Sequence, residues 1–392
     1  MSTVGFLNLP PWPAELRQGL HDHGLPDLLR APVLGTEDVD PPWTSFPDEE
    51  FFGTVDTGLQ FADGRPPTRW PSRVITADAP TACRRFLNRQ RGTTGVRGAI
   101  GGTAPLLDLF HARAGYPAPR RLLAMTDGVA GAVLGEMGRS GKTLEESLQE
   151  IQWRDLAPGN ATRHLHGLVA RDRLVLLGSL VFNITLDPEQ VFTEGFGQVS
   201  PRDLALADTL DATIRLLGVV EAAEGGTAAW VRPVLLPSRY LLAQVRGGAE
   251  AAYLQLADQT SLFFSGPGTT PAVVLRGMVR DWRDLLAADG GPLRAEDSRE
   301  TTTPAEPPAT FYLRFALTRF DLTVSQVLNV LAEQGIGIGS LFQPPSAPGN
   351  GQETELVVFT RPVAEKTLQD ALRLLRERVR LASLKTCLRS EG

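Results

Sequence analysis

Apolar and polar positions along this chain repeat at two periods, and the changes between them divide it into regions. Val4-Gly5-Phe6-Leu7-Asn8-Leu9 is a short apolar run of the kind a buried strand carries, and Leu16 and Leu20 place a helix over about Pro13 to His23. Thr143 and Glu146 form a capping box that opens a helix from Leu144 to Gln152, after Gly138 and Gly141 close the helix before it. Further on, Ser200 caps a helix whose first position is Pro201; Leu204, Ala207, Leu210 and Ile214 then fall near helical spacing, and Ile214 to Val220 reads as a strand. Val231 to Pro237, with prolines at its margins, is expected to be an edge strand, because proline cannot donate to a ladder. A long helix from Ala272 to Leu286 carries Arg276, Arg280 and Arg283 on one side. The last part begins with Phe311 to Leu317, which alternates as a strand. A helix from Val324 to Gln334, strands over Ile336 to Gln343 and Glu355 to Thr360, and a helix from Val363 to about Arg378 complete a β-α-β-β-α-β pattern.

Length and composition narrow the classes. A chain of 392 residues is long enough for two or three domains. With 42% hydrophobic and 21% charged residues it can bury ordinary cores. A formal net charge of -6 and a pI near 5.5 give no electrostatic footprint for nucleic acid or an anionic membrane, so small molecules or proteins are the expected partners. Cys83 and Cys387 are too few for a disulfide framework or a cysteine zinc site, which suits reduced thiols in the cytoplasm. The first residues lack the basic and apolar pair of a signal peptide. The longest apolar stretch, Leu174 to Leu186, is broken by Gly178, Ser179, Asn183 and Thr185 and falls short of the ~20 residues a membrane span needs.

Several stretches carry the vocabulary of a ligand site with the reactive letters altered. The turn Asn8-Leu9-Pro10-Pro11-Trp12-Pro13 follows the first strand, where a dinucleotide fold would place glycines that offer amides to a pyrophosphate. Proline has no amide hydrogen to give. Gly141-Lys142-Thr143 ends like a phosphate-binding loop, but a helix precedes it where that motif needs a strand, and the capping box accounts for it. In Arg163-His164-Leu165-His166, alternation puts both imidazoles on one side of an extended segment. No cysteine or carboxylate stands at a metal-ligand spacing from them, so no metal is expected.

These stretches, in order, resemble the homoserine dehydrogenase family. Gly167 to Leu174 resembles G-L-D-x-x-x-K-L, with Val169 and Arg173 at the aspartate and lysine positions. Arg73 to Pro80 resembles V-V-T-A-N-K-A-L, with Ala79 in place of the lysine, and Val96 to Leu107 resembles Y-E-A-A-V-x-G-G-I-P-I-I, with Arg97 at the acidic position. Thr126-Asp127-Gly128 stands where the family has L-N-G. A substrate-contacting glutamate falls at Pro158, and no glutamate lies between Glu150 and Glu189. Ser265 to Pro271 resembles a glycine-rich loop opening a helix, leaving Gly266, Gly268 and Thr269 as a remnant of the cofactor site. The final pattern resembles an ACT module, with Leu322 where its effector loop has glycine.

The resemblance implies an α/β fold. A reduced, degenerate Rossmann-like domain is expected over 1–95 plus 256–286, and a mixed α/β central domain with a dimer-forming sheet over 96–255. A linker over 287–309 and a ferredoxin-like ACT domain over 310–392 follow. The family moves hydride between NAD(P) and aspartate semialdehyde on the way to threonine and methionine. Here none of the family's catalytic positions, Ala79, Pro158, Val169 and Arg173, is intact, and the pocket retains Asp127, Gly128, His164, His166 and Arg173. The expectation is a catalytically degenerate protein needing no cofactor. It would be a homodimer through the central sheet and a regulatory subunit or partner of an aspartate-pathway enzyme. The alternatives are an active NAD(P)-dependent enzyme with an atypical site, or an enzyme repurposed on the same pocket.

Overall fold

A computed structural model describes residues 4–7, 51–54, 73–76, 79–80, 82–83, 93–111, 116–154, 156–157, 160–223, 225–286, 299–300, 307–318, 320–345 and 354–391. The helix expected over Pro13 to His23, the proline-rich first turn, Pro158 and Arg319 lie outside them.

Four short strands form a parallel sheet in sequential order: β1 (Val4–Leu7), β2 (Phe51–Thr54), β3 (Arg73–Thr76) and β4 (Thr93–Gly95). A dinucleotide-binding sheet has the order 3-2-1-4-5-6 and holds its ligand where the order reverses, beside an interior first strand. Among the described residues β1 pairs only with β2, so it stands at an edge and the sheet corresponds to one half of that pattern.

A short helix, α1 (Arg97–Ile100), and a second, α2 (Pro105–His111), lead to the larger part of the molecule. There β5 (Pro119–Met125) is followed by α3 (Gly128–Ser140), α4 (Leu144–Trp153), the single turn α5 (Thr162–Leu165) and α6 (Leu168–Phe182). The capping box of Thr143 and Glu146 forms as its spacing predicts, and Gly141 closes α3 in the left-handed conformation at φ 69. The apolar residues of α6 are not confined to a stripe: Leu174, Val175, Leu176, Leu177 and Val181 are all buried, as befits a helix enclosed on every side.

After β6 (Ile184–Thr185) and β7 (Phe192–Thr193), α7 (Pro201–Thr209) starts at the Ser200 cap with Asp203 completing the box. The long hairpin of β8 (Ala212–Ala223) and β9 (Gly226–Pro237) follows, then β10 (Glu250–Leu256), β11 (Ser261–Gly266) and α8 (Pro271–Leu286). Strand β9 corrects the edge expectation, since it lies between β8 and a C-terminal strand. Pro233 is tolerated because the ladder on that side is interrupted at its position. There β7 pairs at Trp230 and Val231, and the C-terminal strand takes over at Val234 and Leu235. Helix α8 leaves the large sheet to pack on β3, β4 and α1.

Within the expected linker, β12 (Arg299–Glu300) pairs with β6. The remaining elements are β13 (Thr310–Leu317), α9 (Phe320–Glu333), β14 (Ile338–Phe342), β15 (Thr354–Thr360), α10 (Glu365–Arg378) and β16 (Ala382–Ser390), the predicted β-α-β-β-α-β succession. Both helices bury apolar residues against one face of this sheet, among them Val327, Leu331, Leu368 and Leu372. Tyr312, Val357 and Leu388 join the central core from the other. Through β16 and β9 the strands run on as one ten-stranded mixed sheet, so the C-terminal unit continues the central sheet. Arg314 locks the contact: buried on β13, it donates to Asp203 at 2.8 Å and to Glu355 at 2.7 Å.

Candidate functional site

The altered motifs converge where the two sheets meet. Thr126 ends β5, and its hydroxyl donates to the Ala170 carbonyl at 3.0 Å, fixing that strand end to α6. Asp127 caps α3, accepting from the amides of Val129 at 3.0 Å and Ala130 at 3.3 Å, and it holds His164 Nδ1 at 2.8 and 2.9 Å through its two oxygens. Burial alone would raise the Asp127 pKa. The hydrogen bond and charge of His164, with the nearby Arg173 and the Ala130 amide, outweigh it and hold the carboxyl below its ordinary value. The histidine pair therefore does not share a side: residues 162–165 are helical, so His164 turns inward to Asp127 while His166 is exposed. An aspartate fixing one imidazole nitrogen sets the tautomer of the ring, an arrangement able to carry a proton.

Arg173, one helical turn beyond Val169 on α6, points to the same junction. Its Nη1 donates to the Thr126 carbonyl at 2.8 Å and to Glu250 Oε1 at 3.0 Å. Glu250 has no exposure, and its two oxygens also accept from Gly102 N at 2.8 Å, Thr269 N at 3.2 Å and Thr269 Oγ1 at 2.8 Å. Burial pushes its carboxyl above the usual range, against the pull of Arg173, Thr269 and Gly102. The remnant loop and the Gly101-Gly102 turn are thus joined by one carboxylate. The loops approach so closely that a Cβ at Gly128 or Gly268 would overlap the Gly248 carbonyl oxygen.

Ala79 is buried in the central core, and Val169 is half-buried on α6. Neither brings a polar group to the junction. Arg97, at the family's acidic position, is buried and bonded to Asp281 at 2.6 Å, Asp108 at 2.8 Å and Asp284 at 2.9 Å, which ties α1 to α8. Sequence reasoning missed Glu250. It lies 77 positions from Arg173, and its only local signal is a carboxylate opening an otherwise apolar strand after Gly247-Gly248. Among the described residues no group of three His, Cys, Asp or Glu could hold a metal ion, and no helix is long and apolar enough to cross a membrane.

Comparison with known proteins places this junction in context. The family model described as homoserine dehydrogenase matches residues 106–282. The homoserine dehydrogenase of Pseudomonas aeruginosa is 27% identical over 301 residues, covering 73% of this chain and 69% of the relative. Over this region the chain is similar to the homoserine dehydrogenase family. The homoserine dehydrogenase of Bacillus subtilis is 23% identical over 300 residues, 75% of this chain and 69% of its own. The fold is that of a homoserine dehydrogenase from Thiobacillus denitrificans, with a TM-score of 0.81 at 21% identity over 100% of this chain and 98% of the other. A hyperthermophilic archaeal homoserine dehydrogenase mutant solved in complex with NADPH gives a TM-score of 0.52 at 17% identity, over 71% of this chain and 84% of that one. Val169 and Arg173 stand on α6, inside the region that the homoserine dehydrogenase model matches.

Proposed function

We propose that this member of the homoserine dehydrogenase family has lost hydride transfer and serves in the cytoplasm as a non-catalytic, regulatory or partner subunit of an aspartate-pathway enzyme. It would form a dimer through its central sheet and need no nicotinamide cofactor. The reading is carried by Glu250. A dinucleotide needs open backbone amides for its pyrophosphate. The Gly102 and Thr269 amides already hold the Glu250 carboxylate, and Arg173 neutralises it. Among the described residues β1 has a strand on one side only, which supports the same reading, because a dinucleotide sits in the crevice beside an interior first strand. Ala79 and Val169 supply no proton carrier, and a guanidinium, which holds its proton, is a poor donor in place of an ammonium. On this reading the described residues around Glu250 leave no open amide for the pyrophosphate of NAD(P).

Titration of the purified protein with NADPH and NADH, followed by nucleotide fluorescence, tests this, together with an assay for reduction of aspartate semialdehyde. The expected result is no saturable binding below millimolar nucleotide and no turnover above the uncatalysed rate. Micromolar NADPH binding with turnover would establish the active-enzyme alternative instead.

A further inference from the structure

Helix α8 is fastened to α1 by more carboxylates than their shared cation can match. Arg97 Nη1 donates to Asp281 Oδ1 at 2.6 Å and also lies 2.9 Å from Asp284 Oδ2, while its Nη2 and Nε reach Asp108 Oδ1 at 2.8 and 3.0 Å. Two of these carboxylates therefore meet at a single nitrogen, and their oxygens are no farther apart than the two contacts laid end to end. Asp281 has no exposure, and Asp284 and Asp108 are half-buried. One guanidinium among three carboxylates leaves a surplus of negative charge in the joint.

The other neighbours do little to relieve it. Arg280 approaches Asp284 at 3.5 Å from one helical turn back, but it is exposed, so water screens that pair. Against Asp281 itself, β4 presents Gly95, so close that a Cβ there would lie 2.6 Å from the aspartate's own, and the Arg97 amide donates to Oδ2 at 2.9 Å. Ile75 stands beside Gly95 on β3, two positions beyond Arg73, the only charged residue of that strand. The Gly101–Thr103 turn, which also packs on α8, carries no charge. Two carboxylates that share one donor away from water cannot both ionise without cost, and such a pair releases its protons in two separated steps. Burial, against the pull of Arg97 and with the charge of Asp284 adding to it, pushes the Asp281 carboxyl up to about 7.

We propose that Asp281 and Asp284 share one proton in the folded protein, and that its loss in mildly alkaline solution loosens α8 from α1. The joint is then a pH-sensitive latch beside the Glu250 junction: α1 runs into the Gly101-Gly102 turn and α8 opens from the Thr269 loop, the two segments that Glu250 holds together. The direction of the response is fixed by the carboxyl being harder to ionise in the fold than in the unfolded chain. The stability that the shared proton brings is complete below the unfolded value of about 3.9 and is lost as pH rises through the folded value of about 7. The latch does not depend on whether hydride transfer has been lost.

The test compares the full chain with its Asp284→Asn and Asp281→Asn variants by amide hydrogen exchange, thermal denaturation and infrared difference spectroscopy. Asparagine keeps the shape and an acceptor oxygen and removes one negative charge. Between about pH 5.5 and pH 8.5, exchange along α8, corrected for the intrinsic rate, is expected to quicken about tenfold in the wild type, the change that one pKa unit of linkage gives, and less than about twofold in Asp284→Asn. The melting temperature of Asp284→Asn should match the wild type at about pH 5 and exceed it at about pH 8.5. At about pH 6 the wild type should retain one protonated carboxyl stretch more than either variant. Because Asp284 is only half-buried, its variant keeps the test decisive even where Asp281→Asn fails to fold. Equal exchange responses in wild type and Asp284→Asn, or the same carboxyl band in both, overturns the proposal and leaves all three carboxylates ionised around Arg97.

Discussion

Replacing Arg173 with methionine removes the cation from the junction and leaves the Glu250 carboxylate buried. The Arg173 side chain is 14% exposed and that of Glu250 is not exposed at all, so solvent screens the pair weakly. Breaking such a pair by deleting one partner costs about 3–5 kcal/mol. Glu250 keeps three donors from Gly102 and Thr269, which places the expected loss near the lower end, about 3 kcal/mol. For a cooperative unit of this size that is roughly 6–12 °C in melting temperature. The loss depends on pH with a determined sign. Burial already raises the Glu250 pKa in the fold, and removing Arg173 raises it further. At a pH below the unfolded value of about 4.3, both states are protonated and the penalty vanishes. Above it the fold loses up to about 1.4 kcal/mol per pH unit until the folded pKa is passed. Arg173→Met is therefore expected to be nearly tolerated at pH 5 and distinctly less stable at pH 8, while Arg173→Met/Glu250→Gln recovers most of the difference. Urea melts of the three proteins at both pH values measure this. A loss below about 1 kcal/mol, or one equal at pH 5 and pH 8, would refute a charge-paired junction.

Three further outcomes follow from other residues. Asp127→Asn weakens the α3 cap and frees His164; because the folded pKa of Asp127 is lowered, its contribution is complete above the unfolded value of about 3.9 and fades as pH falls through the folded one, so calorimetric curves of variant and wild type should converge only in strong acid. Gly268→Ala forces a methyl onto the Gly248 carbonyl and should cost about 1–3 kcal/mol, read as faster hydrogen exchange in the loops around Glu250. Arg314→Met leaves Asp203 and Glu355 buried against each other at a cost of about 3–5 kcal/mol, and limited proteolysis should release the C-terminal unit from the central sheet.

Local chemistry made much of the architecture legible before any coordinates. The Thr143 and Ser200 caps are each written within a few residues, and the elements of the C-terminal succession each within a short window, where spacing reports geometry directly. Two kinds of feature were not legible. His164 and His166 alternate in sequence, but a turn of helix sets residues two apart on opposite sides, and four residues are too few to reveal that period. Pro233 suggested an edge strand, and the sequence has no means of saying that the ladder beside it breaks at that residue. The family resemblance located Ala79, Val169 and Arg173 by their absent chemistry, yet it was silent on Glu250, whose partners come from three distant segments.

Arg97 and Arg173 are each matched by a carboxylate on a remote segment. Arg97 binds Asp281 and so fastens α8 to α1; Arg173 and the Thr269 loop share one oxygen of Glu250, whose other oxygen fastens the Gly102 turn. Both pairs lie where the small parallel sheet meets the large one. To part these segments around a ligand, the protein would have to expose or strand Glu250, and a buried carboxylate deprived of its donors costs several kcal/mol. A ligand at this junction must either supply equivalent donors to Glu250 or displace it to water, and the ionised phosphates of a nucleotide can supply none. Arg173 alone would leave the junction open to an anion. With the matching glutamate, the protein carries its own anion there.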